Sequence, residues 1–106
     1  MKNHKENLRI FAIKNNAKKK TEVIGTAWNQ DGINFLEQYQ DSLVQESDQD
    51  LFWEKSIASF QEAIKLGNKD AYLNLATAFL FEPNVQNIFA AANALATVLT
   101  DRKRHV

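Results

Sequence analysis

The apolar residues between positions 33 and 99 recur every three or four positions, and this spacing constrains the fold more than any other feature. Such a period is that of an amphipathic helix with one buried face. Gly67 is typical of a left-handed residue at a helix C-terminus. Pro83 ends the next segment, since proline disfavours helix at the residue before it. We therefore predict a helical part over residues 36–101.

The last predicted helix, from Val85 to about Thr100, has two uncharged faces. Its apolar stripe, which we expect to contribute to the core, consists of Val85, Ile88, Phe89, Ala92, Leu95, Ala96 and Leu99. A second face carries small side chains: Ala90, Ala91, Asn93, Ala94, Thr97 and Thr100. Small side chains let helices pack closely. The N-terminal part of the chain covers this second face, or a second copy of the chain binds there as a homodimer.

The N-terminal part has a different pattern. Residues 8–14 (LRIFAIK) alternate with a period of two, and residues 21–28 (TEVIGTAW) are rich in β-branched side chains. Both properties are typical of strands. Residues 15–20 contain turn formers between the two runs, and Asp31-Gly32 is a second turn signal. Residues 33–35 then form a third strand or begin the first helix.

The sequence thus predicts an α+β fold. An antiparallel β-hairpin or three-stranded meander over residues 8–35 packs on a bundle of about four α-helices. With 106 residues the chain forms a single domain, 1–106. We expect its ends, residues 1–7 and 102–106, to be flexible. The predicted core contains Trp53, Phe60, Leu75, Phe79 and Leu95.

Charge is distributed unevenly along the chain, although 13 bases balance 13 acids. Residues 1–20 carry seven bases against one acid, and residues 21–66 carry two bases against nine acids. Such asymmetry concerns the choice of partner, not the fold.

The residues needed for catalysis or metal binding are largely missing. The chain has no cysteine, and it lacks the nucleophile, phosphate-binding and zinc-protease motifs that can be recognised from sequence. His4 and His105 lie near the chain ends, where side chains are seldom held in a site. Asp48, Asp50 and Glu54 resemble part of a calcium loop but lack its glycine and its twelfth-position Glu. We expect no enzyme activity, no cofactor and no metal.

Neither a leader peptide nor a membrane segment is expected. Residues 1–7 are charged and are not followed by an apolar core of the length that secretion requires. The uncharged stretch 83–100 contains six polar side chains, which would be costly in lipid. We therefore expect a cytoplasmic protein with no membrane partner.

Binding of another protein fits these observations best, as an adaptor or a stoichiometric inhibitor. Seven acids and no base lie between Asp31 and Glu54, and an acidic stretch can steer onto a basic partner. The candidate contacts are Glu37, Asp41, Asp48 and Asp50. The alternative is a nucleic-acid-binding protein, because lysines and arginines can contact phosphates. Its candidate contacts are Lys18, Lys19 and Lys20 at the tip of the predicted hairpin and Arg102, Lys103 and Arg104 in the tail.

Two short segments resemble known families. Residues 56–75 (SIASFQEAIKLGNKDAYLNL) resemble the Sel1-like and tetratricopeptide helical repeats, with Gly67 between two helices. This resemblance implies a helical hairpin that binds other proteins. Residues 24–32, with the pattern IG-x-AW...DG, are similar to a hairpin of small uncharacterised proteins of conjugative plasmids. That resemblance implies a bacterial mobile element, such as a plasmid or phage, as the origin of the chain.

Overall fold

A computed structural model describes residues 3–41 and 43–104, and the side chains of residues 14–41 and 43–100. It contains four helices: α1 (Asn3–Gln40), α2 (Glu46–Lys65), α3 (Asp70–Leu80) and α4 (Val85–Arg104). No strand occurs in the described ranges. The fold is therefore all-α, and the predicted α+β class is wrong. Residues 3–7 and 102–104, which were expected to belong to flexible ends, extend α1 and α4.

The segment predicted as a β-hairpin or meander, residues 8–35, lies within α1. Its β-branched threonines are accommodated because each hydroxyl donates a hydrogen bond to the carbonyl four residues earlier. Thr21 bonds to Ala17 at 3.0 Å and Thr26 to Glu22 at 2.9 Å. Such bonds satisfy the hydroxyl inside a helix. No proline occurs before position 83, so nothing in this segment forces the helix to end.

The second half of α1 packs antiparallel against α2 through a face that includes two glycines. A Cβ at Gly25 would lie 3.3 Å from the Leu66 Cβ, and a Cβ at Gly32 would lie 2.5 Å from the Phe60 ring. Since Gly25 and Gly32 are seven residues apart, they lie on one side of the helix. The glycines therefore let α1 approach α2 closely, and Gly32 is not the turn residue that the sequence predicted.

The turn from α2 to α3 has the predicted left-handed glycine. Gly67 has a φ of +86°, and the Asn68 amide donates to the Ala63 carbonyl at 3.0 Å, as in a Schellman motif. The Asn68 side chain then accepts a hydrogen bond from the Ala71 amide at 3.1 Å and caps α3. The two antiparallel helices on either side of this turn are compatible with the predicted helical hairpin.

The break between α3 and α4 also agrees with the sequence. The helix α3 ends at Leu80, before Pro83. The Asn84 side chain accepts a hydrogen bond from the Asn87 amide at 2.9 Å, which satisfies one of the free amides at the start of α4.

The core lies between α1, α2 and α3. Its buried residues are Leu36, Phe60, Ala63, Ala71, Leu75 and Ala78. A smaller cluster of Ala76, Ala91 and Ala94 joins α3 to α4. Of the predicted core residues, Phe60 and Leu75 are buried and Trp53 and Phe79 are half-buried. Leu95 is 39% exposed, so its assignment to the core is wrong.

Two polar contacts join the helices inside this bundle. The Trp53 indole donates a hydrogen bond to the Ala78 carbonyl at 2.7 Å and links α2 to α3. The Asn74 amide group donates to the Asn29 side chain at 2.9 Å and links α3 to α1. In the described part of the chain, every buried side-chain polar atom has a hydrogen-bond partner, as expected of a well-packed core.

The first half of α1 extends beyond the other helices. The principal extents are 66 × 32 × 16 Å, and the 38 residues of α1 span about 57 Å. All side chains from Lys14 to Ile24 are exposed. Since Gly25 of α1 lies beside Leu66, the α2–α3 turn (Leu66–Lys69) lies near the middle of α1. The α1–α2 and α3–α4 turns lie at the opposite end of the bundle.

Candidate functional site

The apolar stripe of α4, which we expected to contribute to the core, faces solvent, and the face with small side chains packs on α3. At that contact Ala91 is 1% exposed and Ala94 is 6% exposed. The large apolar side chains face solvent: Val85 is 72% exposed, Phe89 67% and Leu99 58%. Ala91 and Ala94 of the small face are therefore covered by α3, and the predicted homodimer through the last helix stays a prediction.

Complementary side-chain sizes explain this arrangement. On α3, Tyr72 and Phe79 pack around Ala76, and this surface contacts the alanines of α4. Large side chains on one helix and small ones on the other allow close packing without strain. The β-hairpin that was expected to cover the face with small side chains does not form, because residues 8–35 belong to α1. In the described residues α4 packs against α3 and against neither α1 nor α2.

We call the outward surface of this helix the α4 apolar face. It consists of Val85, Ile88, Phe89, Ala92, Leu95, Ala96 and Leu99. With roughly 180 Å² for each whole large residue, the exposed fractions of its five large side chains correspond to about 500 Å² of apolar surface. No charged residue occurs between positions 83 and 100. The largest apolar patch on a typical monomer has about this size and is often functional.

The predicted acidic contacts lie together at one end of the bundle. Glu37 and Asp41 are at the C-terminus of α1, and Asp48 and Asp50 are at the N-terminus of α2; all four are exposed. An open hollow of about 340 Å³ lies beside them, lined by Asp50, Trp53, Glu54, Glu82, Asn84 and Asn87. We call this region the acidic end, defined by Glu37, Asp41, Asp48, Asp50, Glu54 and Glu82.

One hydrogen bond at the acidic end joins α1 to the α3–α4 turn. The Tyr39 hydroxyl donates to the Glu82 carboxylate. This hydrogen bond, with partial burial and the negative charges of Glu82 and Asp50, raises the pKa of Tyr39 to about 12. The phenol thus stays protonated and holds the two segments together.

The predicted basic contacts do not form a hairpin tip. Lys18, Lys19 and Lys20 are exposed on the extended half of α1, together with Lys14. We call these four residues the basic arm. The side chains of the other predicted contacts, Arg102, Lys103 and Arg104, lie outside the described residues, although the backbone at these positions belongs to α4.

Sequence reasoning missed the α4 apolar face as a binding surface. The stripe itself was visible as a three- and four-residue spacing without charge, but such spacing does not tell which neighbour covers it. Two uncharged faces on one terminal helix could have indicated this binding surface, because a single neighbouring helix covers only one of them.

The described residues contain no group of three or more His, Asp or Glu side chains placed to hold a metal ion. His4 and His105 were considered as catalytic residues; the side chain of His4 and the whole of His105 lie outside the described residues. Among the described helices, none combines the length and the apolar character needed to cross a membrane.

Comparisons with known proteins give no relative. No family model, curated protein or solved structure matches the chain. The resemblances of residues 56–75 and 24–32 thus stay predictions. The second of these segments lies in α1, so the hairpin that its resemblance implies is wrong.

Proposed function

We propose that this chain is a non-enzymatic protein-binding module of the bacterial cytoplasm, which binds another protein chain through the α4 apolar face. An adaptor or a stoichiometric inhibitor fits this description. The observation that carries the proposal is the outward orientation of the large apolar residues of α4. Exposure of these side chains to water is unfavourable, and their burial against a partner removes that cost.

The chemistry of this face defines the kind of partner. Since no charge lies between positions 83 and 100, the matching surface is apolar and uncharged. Side chains spaced by three and four residues on a helix fit best against a second helix, whose ridges fill the grooves between them. The partner therefore presents an apolar helix about four turns long.

A photo-crosslinking amino acid in place of Phe89 tests the proposal in the native cell. We expect an adduct with a protein, and we expect the additional substitution Leu95→Lys to abolish it, because a charge in the face cannot be buried without a counter-charge. The matched control carries the same amino acid at Val23 on α1, which is 69% exposed. Equal adducts from positions 89 and 23, or no protein adduct at position 89, would contradict the proposal.

A second candidate function is nucleic-acid binding by the basic arm, and the separation of charges favours it. Lys20 and Glu37 lie on one helix, about 25 Å apart along its axis. That distance is about three Debye lengths at physiological salt. The acidic end therefore does not cancel the attraction of the basic arm for a polyanion, although the net charge of the whole chain is zero.

Retention on heparin and on an oligonucleotide tests this second candidate. If the basic arm binds nucleic acid, retention survives about 0.2 M salt and falls after Lys18→Glu and Lys19→Glu. A control with Lys55→Glu and Lys65→Glu makes the same change in net charge on α2. Equal loss in both variants, or no retention of the unmodified chain, would rule out a specific contact by the arm.

A further inference from the structure

We infer that the α4 apolar face binds a second copy of this chain, with the two α4 helices antiparallel around a twofold axis at Ala92. This inference rests on the proposed function, because it names the partner of the same face. Three observations support a second copy: the spacing of the face, the area that it exposes and the distribution of charge along the bundle.

The spacing of the face is symmetric about its middle. The residues of the α4 apolar face lie three, four and seven positions on either side of Ala92. In an antiparallel pair related by a twofold axis at Ala92, a residue therefore meets one that lies equally far on the other side. Phe89 meets Leu95, and Val85 meets Leu99. Such self-complementarity is what an isologous interface requires.

The proposed pair also places small side chains at its centre. Ile88 is placed opposite Ala96, and Ala92 is placed opposite its own copy, so that small side chains lie at the centre. Alanine at the centre lets the helix backbones approach, while the larger residues fill the space on each side. The three- and four-residue spacing is also the spacing of a two-helix seam with knobs-into-holes packing.

The exposed area fits a reversible dimer. Two such faces bury about 1,000 Å² in total, which is at the lower limit for a specific protein interface. We therefore expect a dissociation constant in the micromolar range. A tighter permanent complex would need a larger area.

The charge distribution favours the antiparallel arrangement. Asp50, Glu54 and Glu82 lie at the end of the bundle where α4 begins. At the other end Lys65 pairs with Glu62 at 3.4 Å and Lys69 is followed by Asp70, so that this end carries little net charge. A parallel pair would bring the acidic ends of both copies together. The antiparallel pair places the acidic end of one copy beside the nearly neutral α2–α3 turn of the other, which avoids this repulsion.

Sedimentation of the purified full chain over about 1 to 200 μM tests the inference. We expect the mass to rise from 12.1 kDa towards twice that value. Phe89→Glu weakens self-association at least about tenfold, as for a central aromatic residue. The matched control Val23→Glu adds the same charge at an equally exposed site on α1 and leaves association unchanged. Circular dichroism confirms that both variants fold, since both positions are exposed.

Mixing variants tests the orientation. An antiparallel pair places Phe89 opposite Leu95, so a mixture of Phe89→Glu with Leu95→Lys restores association through an opposite-charge pair. A parallel pair would instead be restored by mixing Phe89→Glu with Phe89→Lys, and that result would overturn the antiparallel arrangement.

If the chain stays monomeric at all concentrations, a second copy is not the partner of the α4 apolar face, and the inference is wrong. The proposed function is tested separately by the photo-crosslinker at Phe89. If the chain is monomeric but the crosslinker captures a different protein, and Leu95→Lys abolishes that capture, then the α4 apolar face binds protein. In that case only the identity of the partner is wrong. If both experiments are negative, both proposals fail.

Discussion

Replacement of Gly32 by alanine tests the packing of α1 on α2, and its effect follows from the geometry. A Cβ at this position would lie 2.5, 2.6 and 2.9 Å from three atoms of the Phe60 ring. Carbon atoms in ordinary contact are about 3.5–4.0 Å apart, so the ring must move by about 1 Å. Phe60 is fully buried and its neighbours leave little room for that movement.

Two opposing effects decide the magnitude. Glycine to alanine inside a helix stabilises it by about 1 kcal/mol, whereas overpacking of a core costs about 1–3 kcal/mol. Contacts this short put the cost near the upper limit. We expect Gly32→Ala to lower the free energy of unfolding by about 1–2 kcal/mol. At Gly25 the new Cβ would meet the Leu66 Cβ at 3.3 Å, so the neighbour must move by only a few tenths of an ångström, and we expect Gly25→Ala to be less destabilising than Gly32→Ala.

The assay is urea unfolding followed by tryptophan fluorescence, and a double-mutant cycle isolates the contact. In a chain carrying Phe60→Ala the ring is absent, so the additional change Gly32→Ala no longer lowers stability. An equal loss of stability with and without the ring would refute the contact between Gly32 and Phe60. That outcome would instead mean that a neighbour other than the Phe60 ring limits the space at Gly32.

Three further predictions follow from single contacts. Tyr39→Phe removes the hydrogen bond to Glu82 and costs about 1 kcal/mol at neutral pH. Because the pKa of Tyr39 is raised from 10.0 to about 12, this contribution is present below pH 10 and is lost as the pH rises through about 12. Unfolding of the unmodified chain and of Tyr39→Phe at neutral and alkaline pH measures it. A difference in their free energies of unfolding that grows with pH would contradict the prediction. Asn84→Ala removes the cap of α4 and costs about 1 kcal/mol in urea unfolding, while Asn84→Asp retains most of that stability; equal losses would show that the side chain is not the cap. Charge reversal at Glu37 and Asp41 weakens capture of a basic partner protein if the acidic end is a contact, and unchanged capture in a pull-down would exclude it.

The C-terminal ends of α2 and α3 and the start of α4 could be predicted from sequence because local chemistry determines them. Gly67 supplies a positive φ, Pro83 prevents continuation of a helix, and Asn84 caps the next one. These effects act within a few residues, so they need no knowledge of the tertiary structure. Phe60 was assigned to the core correctly for a similar reason, since it lies in the middle of a clear helical stripe.

The first helix could not be predicted in the same way. Seven alternating residues from position 8 are too few to separate a strand from a helix. Asp31-Gly32 is typical of a turn, but here the glycine makes room for the ring of Phe60 from α2. Only the position of the neighbouring helix distinguishes a turn glycine from a packing glycine.

The candidate surfaces were predicted in part. The four predicted acidic contacts are exposed, as a binding role requires, and the chain brings Glu37 and Asp50 to one end because α1 and α2 are antiparallel. The α4 apolar face was seen as a stripe but was assigned to the core. Its orientation depends on the size match between the alanines of α4 and Tyr72 and Phe79 of α3, which involves residues far apart in sequence.

Disulfide formation by a single cysteine at the centre of the α4 apolar face tests the central claim most directly. The chain has no cysteine of its own, so Ala92→Cys introduces the only thiol. If two copies bind through this face, Ala92→Cys forms a disulfide-linked dimer under mild oxidation, whereas Asn93→Cys, which is exposed beside the face, does not. Equal dimer formation by the two variants, or none by either, would contradict the claim.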